Sequence, residues 1–331
     1  MKQRLHYIDI AKGLTLLLMM FSHIETLPEF LAAPIGAFCI PMFFFLSGYT
    51  FDSALSKSFK ELIIKLFKRL VIPFALICLA CALSECALFG GLERFGEFYH
   101  KMFFNYRVSN AWFIPSLVFV EIMYYAARKL LPDKLSQIVF VAASIGGFVF
   151  AYINGPQSAM LFNFDASLIG LSFFHAGKMI NTYRQDLKIV HKDWTAVIMI
   201  AISFILSNIN AFMDEVDTFI CMFGNYYGFI PLYFVASIIG VFGILLLSEC
   251  IEESETLEWF GRNTLYIASM HLTLTTLLKA KMFNVFTMIY GISPIAYWMF
   301  EFTLMVLLGV ASSFVLQKIY NASMKLLGKI F

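Results

Sequence analysis

The chain has 331 residues, 60% of them hydrophobic and only 14% charged, with 24 Lys and Arg against 22 Asp and Glu for a net charge of +2. A mean hydropathy of +0.78 is far from that of a soluble domain, in which about a quarter of residues are charged. So small a net charge, with no basic stripe interleaved with aromatics, excludes nucleic acid as a partner.

Hydrocarbon does not tolerate unpaired backbone groups, so a chain of this composition spans a membrane as helices or as a closed barrel. The long continuous apolar runs lack the alternation of barrel strands, and the expected fold is an all-α polytopic bundle forming a single domain over 1–331. At roughly 20 residues per span, the apolar runs predict ten helices near 8–27, 32–53, 66–89, 110–127, 136–153, 161–180, 194–213, 227–249, 264–281 and 292–318. No length is left over for a soluble catalytic domain, so any chemistry belongs inside the bundle or at its rims.

In chain order, the N-terminus has the basic start of a signal peptide, but Asp9 and Lys12 interrupt its apolar stretch and no small-residue cleavage site follows. It is expected to be retained as the first span. Lys2 and Arg4 precede that span; Lys57, Lys60, Lys65, Lys68 and Arg69 follow the second, Arg128, Lys129 and Lys134 the fourth, and Lys178, Arg184, Lys188 and Lys192 the sixth. The positive-inside bias puts these connections and both termini, including Lys318, Lys325 and Lys329, in the cytoplasm. Glu25 and Glu29 in the first connection, and Asp214, Glu215 and Asp217 in the seventh, agree with the opposite side. Two segments fit poorly: the acidic stretch Glu249 to Glu258 falls inside and Lys279/Lys281 outside. The longest external connection, GLERFGEFYHKMFFNYRVSN at 91–110, carries aromatics suited to an interfacial belt or a sugar platform.

Ionisable residues within spans are expensive and mark functional sites. Lys12 and His23 are 11 residues apart, so on a helix they project from nearly one face, separated by roughly 16 Å along the axis. Asp9, three residues before Lys12, shares that face as an ion-pair partner. Lys65, Lys68 and Arg69 fall on one side at the start of the third span, where they either hold phosphates or act only as snorkelling anchors. Glu121 follows Trp112 in the fourth span, Asp165 and His175 share the sixth, and His271 follows Asn263 in the ninth. A lone membrane histidine such as His175 is more often a hydrogen-bonded helix contact. No pair shows HxxxH or ExxH spacing on one helix, so a metal site has no local support. Cys39, Cys78, Cys81 and Cys86 lie in apolar runs without a histidine partner, which argues against redox or metal roles. Soluble catalytic motifs such as GxSxG and GxxxxGK[ST] are absent.

Six segments, YIDIAKGLTLLLMMFSHI (7–24), PMFFFLSGYTF (41–51), KLFKRLVIPF (65–74), AWFIPSLVFVEI (111–122), FNFDASLIGLSFFHAGK (162–178) and GRNTLYIASMHLTL (261–274), together resemble the acyltransferase-3 family, with the fucose 4-O-acetylase-like branch nearest. The resemblance implies a ten-helix inner-membrane enzyme that moves an acetyl group from cytoplasmic acetyl-CoA to a hydroxyl of an extracytoplasmic or lipid-linked glycan, with no metal. The family's basic residue followed eleven positions later by histidine matches Lys12 and His23; many members have arginine where Lys12 stands, and lysine lacks the planar fork. The family's basic pair at the third span matches the cluster Lys65, Lys68, Arg69 as a group. On this reading His23 is the general base, with Lys12, Asp9 and His271 beside it. Lys65, Lys68, Arg69, Ser47 and Tyr49 hold the donor, and Trp112, Glu121, Asp165 and Asn263 the acceptor. Tyr49, Asn263 or His271 are candidate oxyanion donors. Transfer is either direct or by way of an acetyl-histidine. The alternative is a proton-coupled secondary transporter, which also uses buried ionisable groups, although no paired repeat is visible.

Overall fold

A computed structural model describes residues 5–89, 91, 95–96, 110–184, 186, 189–213 and 220–327. Most of the 91–110 connection, Lys2, Arg4, Lys188, Lys329 and the acidic group at 214–217 lie outside the described residues. Apart from an isolated antiparallel bridge between Cys221 and Tyr226, the described residues form helices and loops. The helices are α1 (His6–Ser22), α2 (Glu29–Tyr49), α3 (Asp52–Leu55), α4 (Phe59–Leu66), α5 (Ile72–Phe89), α6 (Phe113–Leu130), α7 (Asp133–Asn154), α8 (Phe164–Tyr183), α9 (Lys192–Met213), α10 (Ile230–Cys250), α11 (Glu255–Lys281), α12 (Phe283–Ile292) and α13 (Pro294–Leu327).

Among the described residues six helices are long and apolar enough to cross a membrane: Glu29–Tyr49, Phe59–Ala87, Asp133–Asn154, Lys192–Met213, Ile230–Cys250 and Pro294–Leu326. The protein is a multi-pass helical membrane bundle. Four further long helices, α1, α6, α8 and α11, coincide with the runs at 8–27, 110–127, 161–180 and 264–281. They are shorter or more charged, and they carry Lys12, Glu121, Asp165, Arg262 and His271. These less apolar helices bring several of the ionisable groups into the interior, while Glu301 enters it from the apolar α13.

Burial orders the bundle from centre to rim. The apolar window of α2 is 78% buried and that of α9 only 22%, so α2 is central while α9 presents Val197, Ile198, Ile202, Ile205 and Ile209 outward, as a lipid-facing helix does. Close approach comes from small residues. A Cβ on Gly13 would run into the backbone of Leu257, and one on Gly261 into the backbone of Asp9, so α1 and α11 touch main chain to main chain. Gly48 meets Phe174 and Gly177 meets Phe45 in the same way between α2 and α8. Gly240 and Gly243 of α10 face Ser203 and Ile200 of α9.

Ion pairs account for the two segments that fit the charge bias poorly. Glu249 is held by Arg184 and by Lys192 (3.0 Å), while Glu258 pairs with His6 (3.0 Å) and Arg262 (3.3 Å). The acidic stretch is thereby bound to basic groups at the end of the bundle where α1 begins. At the end where α1 finishes, Lys279 bridges the fully buried Glu301 and Glu25 (3.4 Å). With His6 beside Glu258 and Glu25 beside Lys279, α1 and α11 run in the same direction. Element ends also differ from the hydropathy runs: α11 starts at Glu255, where the Ser254 hydroxyl accepts from Leu257 N (3.3 Å), because a capped polar first turn is helical without being apolar.

Candidate active site

Between α1, α2, α5, α6 and α11 lies a partly open cavity of about 1110 Å³, slightly above the roughly 300–1,000 Å³ common for small-molecule sites. On α1 its wall is formed by Lys12, Met19, Ser22 and His23, the face that helical periodicity assigns to them. Lys12 and His23 both reach this one cavity. Asp9 is buried under α11 and is not among the lining residues.

One end of the cavity is cationic: Lys12, Lys65, Lys68, Arg69 and Arg262 all line it. Local chemistry presents the middle three. Ser58 and Glu61 form a reciprocal capping box that starts α4. Phe67–Val71 then widens into a π turn, in which Ile72 N donates to Phe67 O. Pro73 follows; it has no N–H for the preceding turn, and the Lys68 carbonyl instead accepts from the Tyr320 hydroxyl (3.0 Å). π turns of this sort are frequent at functional sites. Arg69 is held by Glu121 of α6, a carboxylate 1% exposed, whose other oxygen has no hydrogen-bond partner. Removing Arg69 would strand the buried Glu121 charge.

The other end carries His23, Glu25 and Glu29, with Trp112, Phe113 and Phe223 forming an aromatic wall. Trp112 and Phe223 meet at 5.9 Å between centroids, and Phe113 packs on Phe44 at 4.7 Å. Behind His23 sits His271, fully buried, with ring centroids 5.3 Å apart and planes at 37°. The cavity thus joins five cations to an imidazole across the depth of the bundle.

The remaining expected site residues divide between the cavity and other contacts. Ser47 and Trp112 line the cavity, whereas Tyr49, Glu121, Asp165, Asn263 and His271 are not among its lining residues. The Tyr49 hydroxyl bonds to that of Tyr7 (2.9 Å). Asn263 bonds to Gln317 and donates to Trp259 O (2.7 Å). Asp165 accepts from Met160 N and Asn225 Nδ2, both at 3.0 Å, and so ties together the two connections that carry Phe162 and Asn163 and then Cys221 and Phe223. His175 Nδ1 pairs with the Tyr124 hydroxyl (3.2 Å) as a helix contact. Arg262, Tyr320, Glu25 and Glu29 also line the cavity, although the sequence did not point to them as site residues. Arg262 lies four residues after Glu258, and its helical pairing was the one available signal.

Among the described residues no group of three or more His, Cys, Asp or Glu is placed to hold a metal ion. The acyltransferase-3 family model, described as an acyltransferase domain, matches residues 5–317. The chain belongs to this family. No curated protein and no solved structure matches it. The acyltransferase-3 match includes α1 and α11 whole, and most of α13, so every residue lining the cavity except Tyr320 falls within it.

Proposed function

We propose that this acyltransferase takes an acetyl group from cytoplasmic acetyl-CoA and places it on a hydroxyl of an extracytoplasmic or lipid-linked glycan, as in the fucose 4-O-acetylase-like branch. The supporting observation is the single cavity with Lys12, Lys65, Lys68, Arg69 and Arg262 at one end and His23 at the other. A coenzyme A thioester is polyanionic at its nucleotide and slender along its pantetheine arm. Clustered cations suit the phosphates, and the arm then carries the thioester along α1 toward His23.

In direct transfer, His23 accepts the proton of the glycan hydroxyl as its oxygen bonds to the thioester carbonyl carbon; collapse of the tetrahedral intermediate breaks the C–S bond, and the proton passes to the departing thiolate. Trp112 and its aromatic neighbours suit the apolar face of a sugar ring. In this reading α1, α6, α8 and α11 cross with the six apolar helices, giving ten spans in the inner membrane with both termini cytoplasmic, so that donor and acceptor arrive from opposite sides.

Purified protein incubated with radiolabelled acetyl-CoA and a panel of oligosaccharides tests the reading. Label moves to a glycan in the wild type, and His23→Ala remains folded but loses at least about 100-fold in turnover, the scale of general-base catalysis. Full transfer by His23→Ala would remove that residue from the mechanism; no transfer to any hydroxyl acceptor would remove the activity.

A further inference from the structure

His271 has a hydrogen-bonding state that can be read from its partners. Its Nδ1 lies 3.0 Å from Ala268 O and 3.2 Å from Ile267 O. Carbonyl oxygens only accept, so Nδ1 carries the hydrogen and Nε2 carries a lone pair. That Nε2 is buried and has no hydrogen-bond partner, on a residue 0% exposed. A buried acceptor left unmade is costly, and the ring beside it is that of His23, 5.3 Å away between centroids. Space for the pair is kept by Gly309 of α13, whose missing side chain would press on Ile267 and approach the His271 Cβ at 3.5 Å.

We propose that His271 is a positioning residue for His23: its Nε2, unpartnered in this structure, accepts the ring N–H of His23 once that neighbouring ring turns toward it, which fixes the His23 tautomer and leaves the other His23 nitrogen as the lone pair facing the cavity. The inference rests on the reading of His23 as the base. A base needs an orienting partner that chooses its tautomer, and a carboxylate is the usual one. Here Gly309, beside the His271 Cβ, has Ile267 and Met20 as its other neighbours, apolar company in which an ionised carboxylate would be strongly penalised. A neutral imidazole, itself locked by the carbonyls of its own helix, does the orienting without adding a charge.

The two nitrogens of His271 are separable by substitution, because a Gln amide approximates the position of Nε2 and an Asn amide that of Nδ1. If His271 acts through Nε2, His271→Gln retains turnover within about 10-fold of wild type, while His271→Asn and His271→Ala fall by about 100-fold or more, with KM for acetyl-CoA unchanged. If it only braces α11 through Nδ1, Asn restores what Gln does not, and the proposal is overturned. Nitrogen-15 NMR of histidine-labelled protein, with the His23 resonances assigned by their loss in His23→Asn, gives a second readout needing no acceptor. One His23 tautomer is expected in the wild type, and a fast-exchanging mixture overturns the proposal even if the His271 variants fail to fold. His23→Ala separates the two levels: full activity there sinks the base itself, whereas an inactive His23→Ala with a fully active His271→Ala sinks only the positioning role.

Discussion

Arg69 and Glu121 show how one interaction serves both stability and binding. The carboxylate is almost wholly buried on α6 and the guanidinium lines the cavity from the π turn before α5. Removing Arg69 strands the buried carboxylate at a cost of about 3–5 kcal/mol, whereas replacing both members with apolar groups is close to neutral. Arg69→Met, which leaves the buried carboxylate unpaired, is therefore expected to lower the thermal midpoint in detergent, and Arg69→Met with Glu121→Leu to restore most of it while donor affinity stays low. Recovery of donor affinity in the double variant would show that Arg69 does not contact the donor. Neutralising Lys65, Lys68 and Arg69 together, as Lys65→Gln, Lys68→Gln and Arg69→Gln, is expected to raise KM for acetyl-CoA by tenfold or more with little change in acceptor KM. Equal changes in both would return the cluster to a role in membrane anchoring.

At the scale of helices, glycine governs which elements approach. Gly13 and Gly261 let α1 and α11 meet backbone to backbone, and that contact sets the distance at which Lys12 and Arg262 face one cavity and His23 meets His271. Gly261→Leu is expected to push the helices apart and destabilise by about 1–3 kcal/mol, the usual cost of overpacking, seen as loss of the monodisperse peak on heating and size-exclusion chromatography. A Cβ added to Gly146 of α7 would have nothing within 4 Å of it, so Gly146→Ala is expected to be neutral or to stabilise by about 0.5–1 kcal/mol, since Gly is the poorer helix former. The same heating experiment distinguishes packing glycines from permissive ones. Destabilisation by both variants to the same degree would mean that the α1–α11 contact is not special.

For the whole molecule, the distribution of charge along the cavity makes an orientation testable. Cations line the end near the α4–α5 junction, and Glu25 and Glu29 line the end where α1 passes into α2. The proposed route places the first end in the cytoplasm and the second outside. In a variant with its six cysteines replaced, a membrane-impermeant maleimide applied to intact cells is expected to label Glu29→Cys and to leave Ser58→Cys unlabelled until the cells are opened. The reverse pattern would overturn delivery of the donor from the cytoplasm.

Much of this organisation is legible from residues alone. Composition and long apolar runs require a helical membrane bundle, because backbone groups in hydrocarbon must pair within the segment. The 11-residue spacing of Lys12 and His23 puts both on one face of α1, since helical periodicity is local, and Lys65, Lys68 and Arg69 share a side for the same reason. What local periodicity does not carry is which faces meet. Only the tertiary structure brings Arg262 from α11 to the cations of α4 and α5, sets His271 behind His23, commits Glu121 to Arg69, and takes Asp165 and Asn263 into loop and helix contacts away from the cavity wall. The physical reason is that those meetings depend on glycine contacts and ion pairs between segments far apart in the chain, such as His6 with Glu258, 252 positions on, and a hydropathy pattern says nothing about the partner of a polar group.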